Sequence, residues 1–190
     1  LAADHGLEAA AHALASGMSK GPFVTGRLRA PIANPSKVVC IGLNYRNHAL
    51  ESGMEVPKEP IIFMKATTSI SGPNDDIDTP KNSTKLDYEA ELGVVIGTKA
   101  RYVPEDKALE YVAGYTLVND VSERAFQMQS SQWDKGKSCD SFGPIGPWLV
   151  TTDEITNPQV LDIWLDVNTD RRQSSNTKNM IFSCAKLVSY

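Results

Sequence analysis

The sequence predicts an α+β domain that is mostly β, a mixed roll of short strands with a few covering helices. Strand-length apolar runs recur along the 190 residues, Gly, Pro, Asn and Asp cluster at their ends, and few stretches between them have helical length. A doubly wound α/β sheet would need a long helix after each strand, so that class is set aside.

Taken in order, Leu1 to Lys20 is Ala-rich with Asp4, His5, Glu8 and His12 interspersed. It predicts a helix and lacks the basic start and apolar centre of a signal peptide. Val38-Val39-Cys40-Ile41, closed by Gly42, predicts a buried strand. Asn44 to Glu51 contains neither Gly nor Pro and can form about two helical turns before Gly53 ends them. Pro57 and Pro60 lead into a second strand, Ile61 to Met64, and Gly72-Pro73-Asn74-Asp75-Asp76 is turn chemistry.

A third strand is expected from Leu86 through Ile96, and Pro104 followed by Glu105 and Asp106 has the Pro and early acids of a helix start. Tyr115 to Val121 reads as a fourth strand, Ser122 to Gln127 as a short helix, and Trp148 to Val150 and Leu161 to Val167 as further strands. Phe142 to Pro147 is a Gly/Pro loop, and there is no internal repeat or low-complexity tract.

Composition excludes several functions. With 41% hydrophobic and 22% charged residues the chain can bury a core, and one domain is the default. A net charge of -4 and no long Lys/Arg run leave no footprint for nucleic acid. Cys40, Cys139 and Cys184 are odd in number and outside any Cys-x-x-Cys pair, which argues against a disulfide framework or a zinc site and for a reducing, cytoplasmic setting. Apolar runs such as Leu92 to Ile96 fall far short of the ~20 residues that span a bilayer. The chain starts at Leu1 and stops at Tyr190 inside an apolar helical pattern, so both ends are expected to be cut.

The richest chemistry lies in Lys85 to Ile96. A strand has period two, which puts Asp87, Glu89 and Glu91 on one face, and like charges running into an apolar segment repel unless protons or a cation neutralise them. Oxygen ligands without a Cys or His cluster favour Mg2+, Mn2+ or Ca2+ over zinc. An acidic edge strand facing water fits the same spacing. Asp120, at the end of the fourth strand, can join Glu89 and Glu91 as a third carboxylate, or serve the helix that follows.

His48 and Glu51, three apart, share a helical face and can act as an oriented general base or as a surface pair. Lys137, in Lys135-Gly136-Lys137-Ser138, can face a developing anion, and Lys65 after the second strand has the same latitude. Either lysine can equally be solvated. No phosphate-binding Gly-x-x-x-x-Gly-Lys-Ser/Thr pattern exists.

Several segments together resemble the fumarylacetoacetate hydrolase (FAH) family in one register from about Gly26 to Tyr190. They are Ile41-Gly42-Leu43-Asn44-Tyr45 with His48 and Glu51; Phe63-Met64-Lys65; Asp87-Tyr88-Glu89-Ala90-Glu91-Leu92-Gly93; Asn119-Asp120 with Arg124 and Gln127; Lys137-Ser138; and Asn176-Thr177 with Met180-Ile181-Phe182. The resemblance implies a mixed β-sandwich roll of the FAH C-terminal-domain type, a homodimer, and Mg2+ or Mn2+ held by Glu89, Glu91 and Asp120.

It further implies a water-activating dyad of His48 and Glu51 on a mobile lid helix, Lys137 stabilising negative charge, and Arg124, Gln127 and Lys65 near substrate. The implied reaction cleaves a C–C bond of small 2,4-diketo acids (acylpyruvates), releasing pyruvate and a carboxylic acid. Gln132 to Lys137 is similar to the bacterial sugar-acid and aromatic-degradation branch. Thr169-Asp170 stands where the family usually has Gly followed by an acid, and the family's later Thr-Gly-Thr-Pro-Gly segment is missing. We therefore expect residues 1–25 to be a remnant of an N-terminal region and 26–190 a catalytic domain truncated at its C-terminus. Alternatives are an oxaloacetate-type decarboxylase, a dienedioate isomerase, and a noncatalytic metal-stabilised dimerisation module.

Overall fold

The computed structural model describes residues 26–190, so the helix expected in Leu1 to Lys20 and the boundary at residue 25 lie outside the described residues. Strands dominate, as the sequence predicts. In chain order they are β1 (Val38–Gly42), β2 (Ile61–Lys65), β3 (Ile70–Ser71), β4 (Leu86–Asp87), β5 (Ala90–Ile96), β6 (Val112–Asn119), β7 (Ser122–Glu123), β8 (Gly143–Pro144), β9 (Val150–Thr151), β10 (Asp162–Val167) and β11 (Asp170–Asn176). Four short helices are interspersed: α1 (Arg46–Glu51), α2 (Arg124–Gln127), α3 (Asp134–Lys137) and α4 (Cys184–Ser189).

The central sheet has the order β5-β6-β9; β1 pairs with β2, β10 with β11, β3 with β8 and β4 with β7. Val112, Tyr115, Val121, Phe142, Ile145 and Ile163 are buried and form much of the core. Their burial removes apolar surface from water at about 25 cal/mol per Å2, which holds these small sheets together. No helix among the described residues is long and apolar enough to cross a membrane.

The expected third strand is two strands. Leu86 and Asp87 leave the β5 line and pair with Glu123 and Ser122, while β5 pairs antiparallel with β6. The cause is local: Asp87 Oδ1 accepts a hydrogen bond from the Tyr88 amide at 3.0 Å, which competes with the sheet ladder. The expected helix over Ser122 to Gln127 shortens to α2 because its first two residues belong to β7. Pro104 starts a 3-10 run over Glu105–Tyr111, not an α-helix. The fourth strand begins earlier than expected, at Val112, and ends before Asp120. Of the strand expected at Trp148 to Val150 only Val150 is retained, and Trp148 is exposed.

α1 is held by its N-terminal flank. The Asn44 side chain donates to Phe182 O at 3.1 Å and accepts from Phe182 N at 2.9 Å, Tyr45 bridges to Met180, and Ala49 is buried. Gly53 follows with φ +64, a left-handed conformation that Gly takes without a Cβ clash.

Candidate metal centre

The β5–β6 register builds the carboxylate cluster. Ala90 opposes Asn119 and Glu91 opposes Val118, so the next pair outward is Glu89 with Asp120. Backbone bonds extend the ladder that far, for Asp120 N donates to Glu89 O at 2.9 Å, and the Asn119 side chain accepts from Glu89 N at 3.1 Å. Strand periodicity then turns Glu89, Glu91 and Asp120 to one face. One oxygen from each lies within 4.8 Å of the others. Asp87, expected on the same face, is diverted by the break at Tyr88 and pairs with Arg124 instead.

Three cationic side chains surround the cluster. Lys137 Nζ donates to Glu89 Oε2 at 2.5 Å and to Asp120 Oδ2 at 2.7 Å. Lys65 Nζ donates to Asp120 Oδ1 at 2.6 Å, to Val121 O at 3.1 Å, and to Lys137 O. Arg124 donates through Nη2 to Glu89 Oε1 at 2.5 Å, through Nε to Asp87 Oδ2 at 2.9 Å, and through Nη1 to Gln127 Oε1 at 3.0 Å. Burial alone would favour the neutral form of Lys137, yet the Glu89 and Asp120 charges outweigh it and hold the ammonium above the ordinary lysine range.

Glu91 has no cation of its own. Its side chain makes no hydrogen bond or ion pair with a described residue, and burial, reinforced by the Asp120 and Glu89 charges, pushes its carboxyl up to about 8. Beside it the buried Tyr45 hydroxyl also lacks a partner, and burial first, then the Glu91 charge, pushes that phenol up to about 12.

The elements that carry these groups pack very closely. Lys137 lies on α3, and α3 abuts α2 at Gly136, where a Cβ would fall 2.5 Å from Gln127 N. Phe63 from β2 meets Trp133 edge-on at 5.3 Å between ring centroids, and its ring lies 5.2 Å from Lys137 Nζ. Behind the cluster, Glu123 is fully buried and caps α2, accepting from Phe126 N at 2.8 Å while Thr84 N and Lys85 N donate to its other oxygen at 3.0 and 2.5 Å.

Of the remaining expected residues, Gln127 is buried on Arg124, whereas His48 and Glu51 are exposed on α1 and their side chains bond neither to each other nor to another described residue. α1 is nonetheless seated beside the cluster, since its N-terminal flank Tyr45 feels the Glu91 charge. Lys65 has an almost completely buried side chain and three protein acceptors. Sequence reasoning missed Tyr45, Glu123 and Gln173. The Gln173 amide exchanges hydrogen bonds with the Ala90 backbone, at 2.9 and 2.7 Å, between the two glutamates. Nothing in a polar run such as Asp170 to Asn176 signals that contact. Tyr45, three residues before His48, was legible by spacing.

The donor set fits a hard divalent cation. All three ligand groups are oxygens, they converge within coordination reach, and Glu91 is a half-buried residue whose carboxyl is short of positive charge. Thiolate chemistry has no place in the cluster: burial, with the Asp120 and Glu91 charges, pushes the nearby Cys40 thiol up to about 12.

Comparison with known proteins adds the following. The family described as Fumarylacetoacetate (FAA) hydrolase C-terminal matches residues 37–190. A Burkholderia cenocepacia protein, named as a hydrolase only provisionally and without a substrate, is 57% identical over 172 residues, 89% of this chain and 61% of its own length. The chain thus spans about 61% of the length of the curated relatives it matches. Fumarylacetoacetate hydrolase from Exiguobacterium antarcticum superposes with TM-score 0.81 at 37% identity, covering 90% of this chain and 63% of the other. A 2-hydroxyhepta-2,4-diene-1,7-dioate isomerase from Mycobacterium marinum gives TM-score 0.76 at 39% identity, covering 86% of this chain and 59% of the other.

Proposed function

From the premise that this chain belongs to the fumarylacetoacetate hydrolase family, we propose that it carries the catalytic centre of a Mg2+- or Mn2+-dependent hydrolase that cleaves a C–C bond of small 2,4-diketo acids. The products are pyruvate and a carboxylic acid. The supporting observation is the convergence of Glu89, Glu91 and Asp120 beneath the ammonium of Lys137 and the guanidinium of Arg124.

Glu89, Glu91 and Asp120 would hold the cation, which when bound supplies Lewis-acid polarisation of the substrate's oxo group. The chain's own residues do the rest. Arg124, fixed by Asp87 and Gln127, would donate to a substrate carboxylate, with Gln127 beside it. Lys137 is a positive donor for the oxyanion that develops when water adds to the C4 carbonyl; such a donor is typically worth ~3 kcal/mol. His48 takes the proton from that water, and Glu51, three residues on and exposed beside it, would orient the imidazole once the two side chains meet. The position of α1 beside Glu91 supports this role, with Tyr45 and His48 one turn apart. In this reading the enzyme is a cytoplasmic homodimer. Unpaired cysteines and the exposed Val39, Ile62 and Met64 on the outer face of β1–β2 are consistent with it.

The name of the Mycobacterium marinum neighbour favours one second reading, isomerisation of a dienedioate, which needs proton transfer but no water addition. Turnover of an acylpyruvate, an oxaloacetate-like acid and a dienedioate, with and without chelator, separates the readings by pyruvate, carbon dioxide and absorbance change. His48→Ala should cut pyruvate release by ~100- to 10,000-fold while leaving calorimetric Mg2+ binding intact. Hydrolysis at the wild-type rate in that variant, or in excess chelator, would sink the proposal.

A further inference from the structure

We propose that Lys65 and Arg124 set the metal selectivity of the centre: by holding one oxygen each of Asp120 and Glu89, they restrict both carboxylates to a single ligand oxygen and favour Mg2+ or Mn2+ over Ca2+. The inference rests on Glu89, Glu91 and Asp120 being the metal ligands.

The two restraints are built differently. Lys65 is 2% exposed, and its ammonium has three N–H donors for three acceptors: Asp120 Oδ1, Val121 O and Lys137 O. Two of those acceptors are backbone carbonyls, so the nitrogen is fixed independently of Asp120. Arg124 holds Glu89 Oε1 through Nη2, while its Nε and Nη1 donate to Asp87 and Gln127 and fix the plane of the fork. Rotating either carboxylate to present both oxygens to one cation would break a charge-assisted hydrogen bond in a partly or wholly buried place.

The other two oxygens, Glu89 Oε2 and Asp120 Oδ2, both accept from Lys137 Nζ and so face one place, where a cation would share them with that ammonium. Monodentate carboxylates, with water completing the shell, would suit the strict octahedron of Mg2+. Ca2+ gains from bidentate carboxylates and a higher ligand number, which the two restraints deny it.

Affinity for one ion would not isolate this effect, because deleting a positive charge beside the site strengthens binding of every dication. The ratio of Mg2+ to Ca2+ affinity does, since both ions carry the same charge. We would titrate Mg2+ and Ca2+ separately by calorimetry into the full chain, into Lys65→Met and Arg124→Met, and into Lys135→Met, which removes an exposed charge that meets Gln129 and Phe126 among the described residues. The affinity ratio should move toward Ca2+ by about tenfold or more in the first two variants and stay put in the third. Infrared spectra of the Ca2+-loaded Lys65→Met protein should show the narrowed splitting of carboxylate stretches that bidentate binding produces. Should Lys65→Met fail to fold, the more exposed Arg124 decides alone. A ratio within about twofold of the parent in every folded variant overturns the inference while leaving the metal reading intact. A parent chain that binds neither ion overturns the metal reading itself, and this inference with it.

Discussion

Gly136→Ala should separate two helices that the centre requires in contact. An added Cβ would lie 2.5 Å from Gln127 N, 2.6 Å from Gln127 Cβ and 2.7 Å from Gln127 Cα. Two of these atoms are backbone, so no side-chain rotation relieves the clash. Ordinary carbon contacts lie near ~3.5 to 4 Å, so α3 must slide about 1 Å from α2. Overpacking of this kind costs about 1 to 3 kcal/mol. The slide moves Lys137, the next residue, off Glu89 Oε2 and Asp120 Oδ2, and a misplacement of ~1 Å can lower a rate ~100-fold. Urea unfolding monitored by tryptophan emission reads the stability term, and pyruvate release at saturating Mg2+ reads the catalytic one. Gly26→Ala, whose Cβ would meet nothing within 4 Å, is the matched control. Unfolding midpoints that agree between the two variants would refute the close-packing argument.

Two further outcomes follow from buried carboxyls. In the metal-free protein Glu91 titrates near 8 against 4.5 for the free side chain, because of burial and then the Asp120 and Glu89 charges. Between those values the native state holds a proton that the unfolded chain has lost, so stability should fall as pH rises through that window. Melting temperatures at pH 5 and pH 8 in chelator should show the decline, Glu91→Gln should flatten it, and a parent protein with no slope would contradict the burial of Glu91. Glu123 is shifted the other way: burial raises its pKa, but the amides of Lys85, Phe126 and Thr84 and the Ser83 hydroxyl outweigh that and leave it lowered. Glu123→Gln should therefore destabilise the fold by about 3 kcal/mol at neutral pH, with the loss shrinking as acid protonates the parent carboxylate. An unchanged urea midpoint at pH 7 would count against it.

Much of the centre was legible because strand period two and the strand end at Asn119-Asp120 are local properties. Glu-x-Glu followed by apolar residues announces a carboxylate pair entering a core, and a carboxylate at a strand end has one neighbour to reach. The pieces that escaped depend on distant partners. β11 is a run of polar residues whose strand state comes from pairing with β10, and Gln173 finds Ala90 across 83 residues. Tyr88 read as mid-strand because β propensity gives no hint that the Asp87 side chain captures its amide. Lys65 reads equally as a group facing an anion and as a solvated one, since sequence cannot count the three acceptors that enclose it.

The exchange of hydrogen bonds between Asn44 and Phe182 has a consequence in time. The two residues are 138 apart, so the flank that seats the His48 helix has no partner until most of this stretch has been synthesised. Loop closure over that span is slow beside hairpin formation, and β1–β2 or β5–β6 can pair long before it. The carboxylate cluster can thus assemble early from β5–β6, while the neighbourhood of Tyr45 waits for Met180 to Phe182. During translation the chain would acquire its cation-binding face first and the flank of its proposed base last, an order that pulsed hydrogen exchange on stalled ribosomes can resolve.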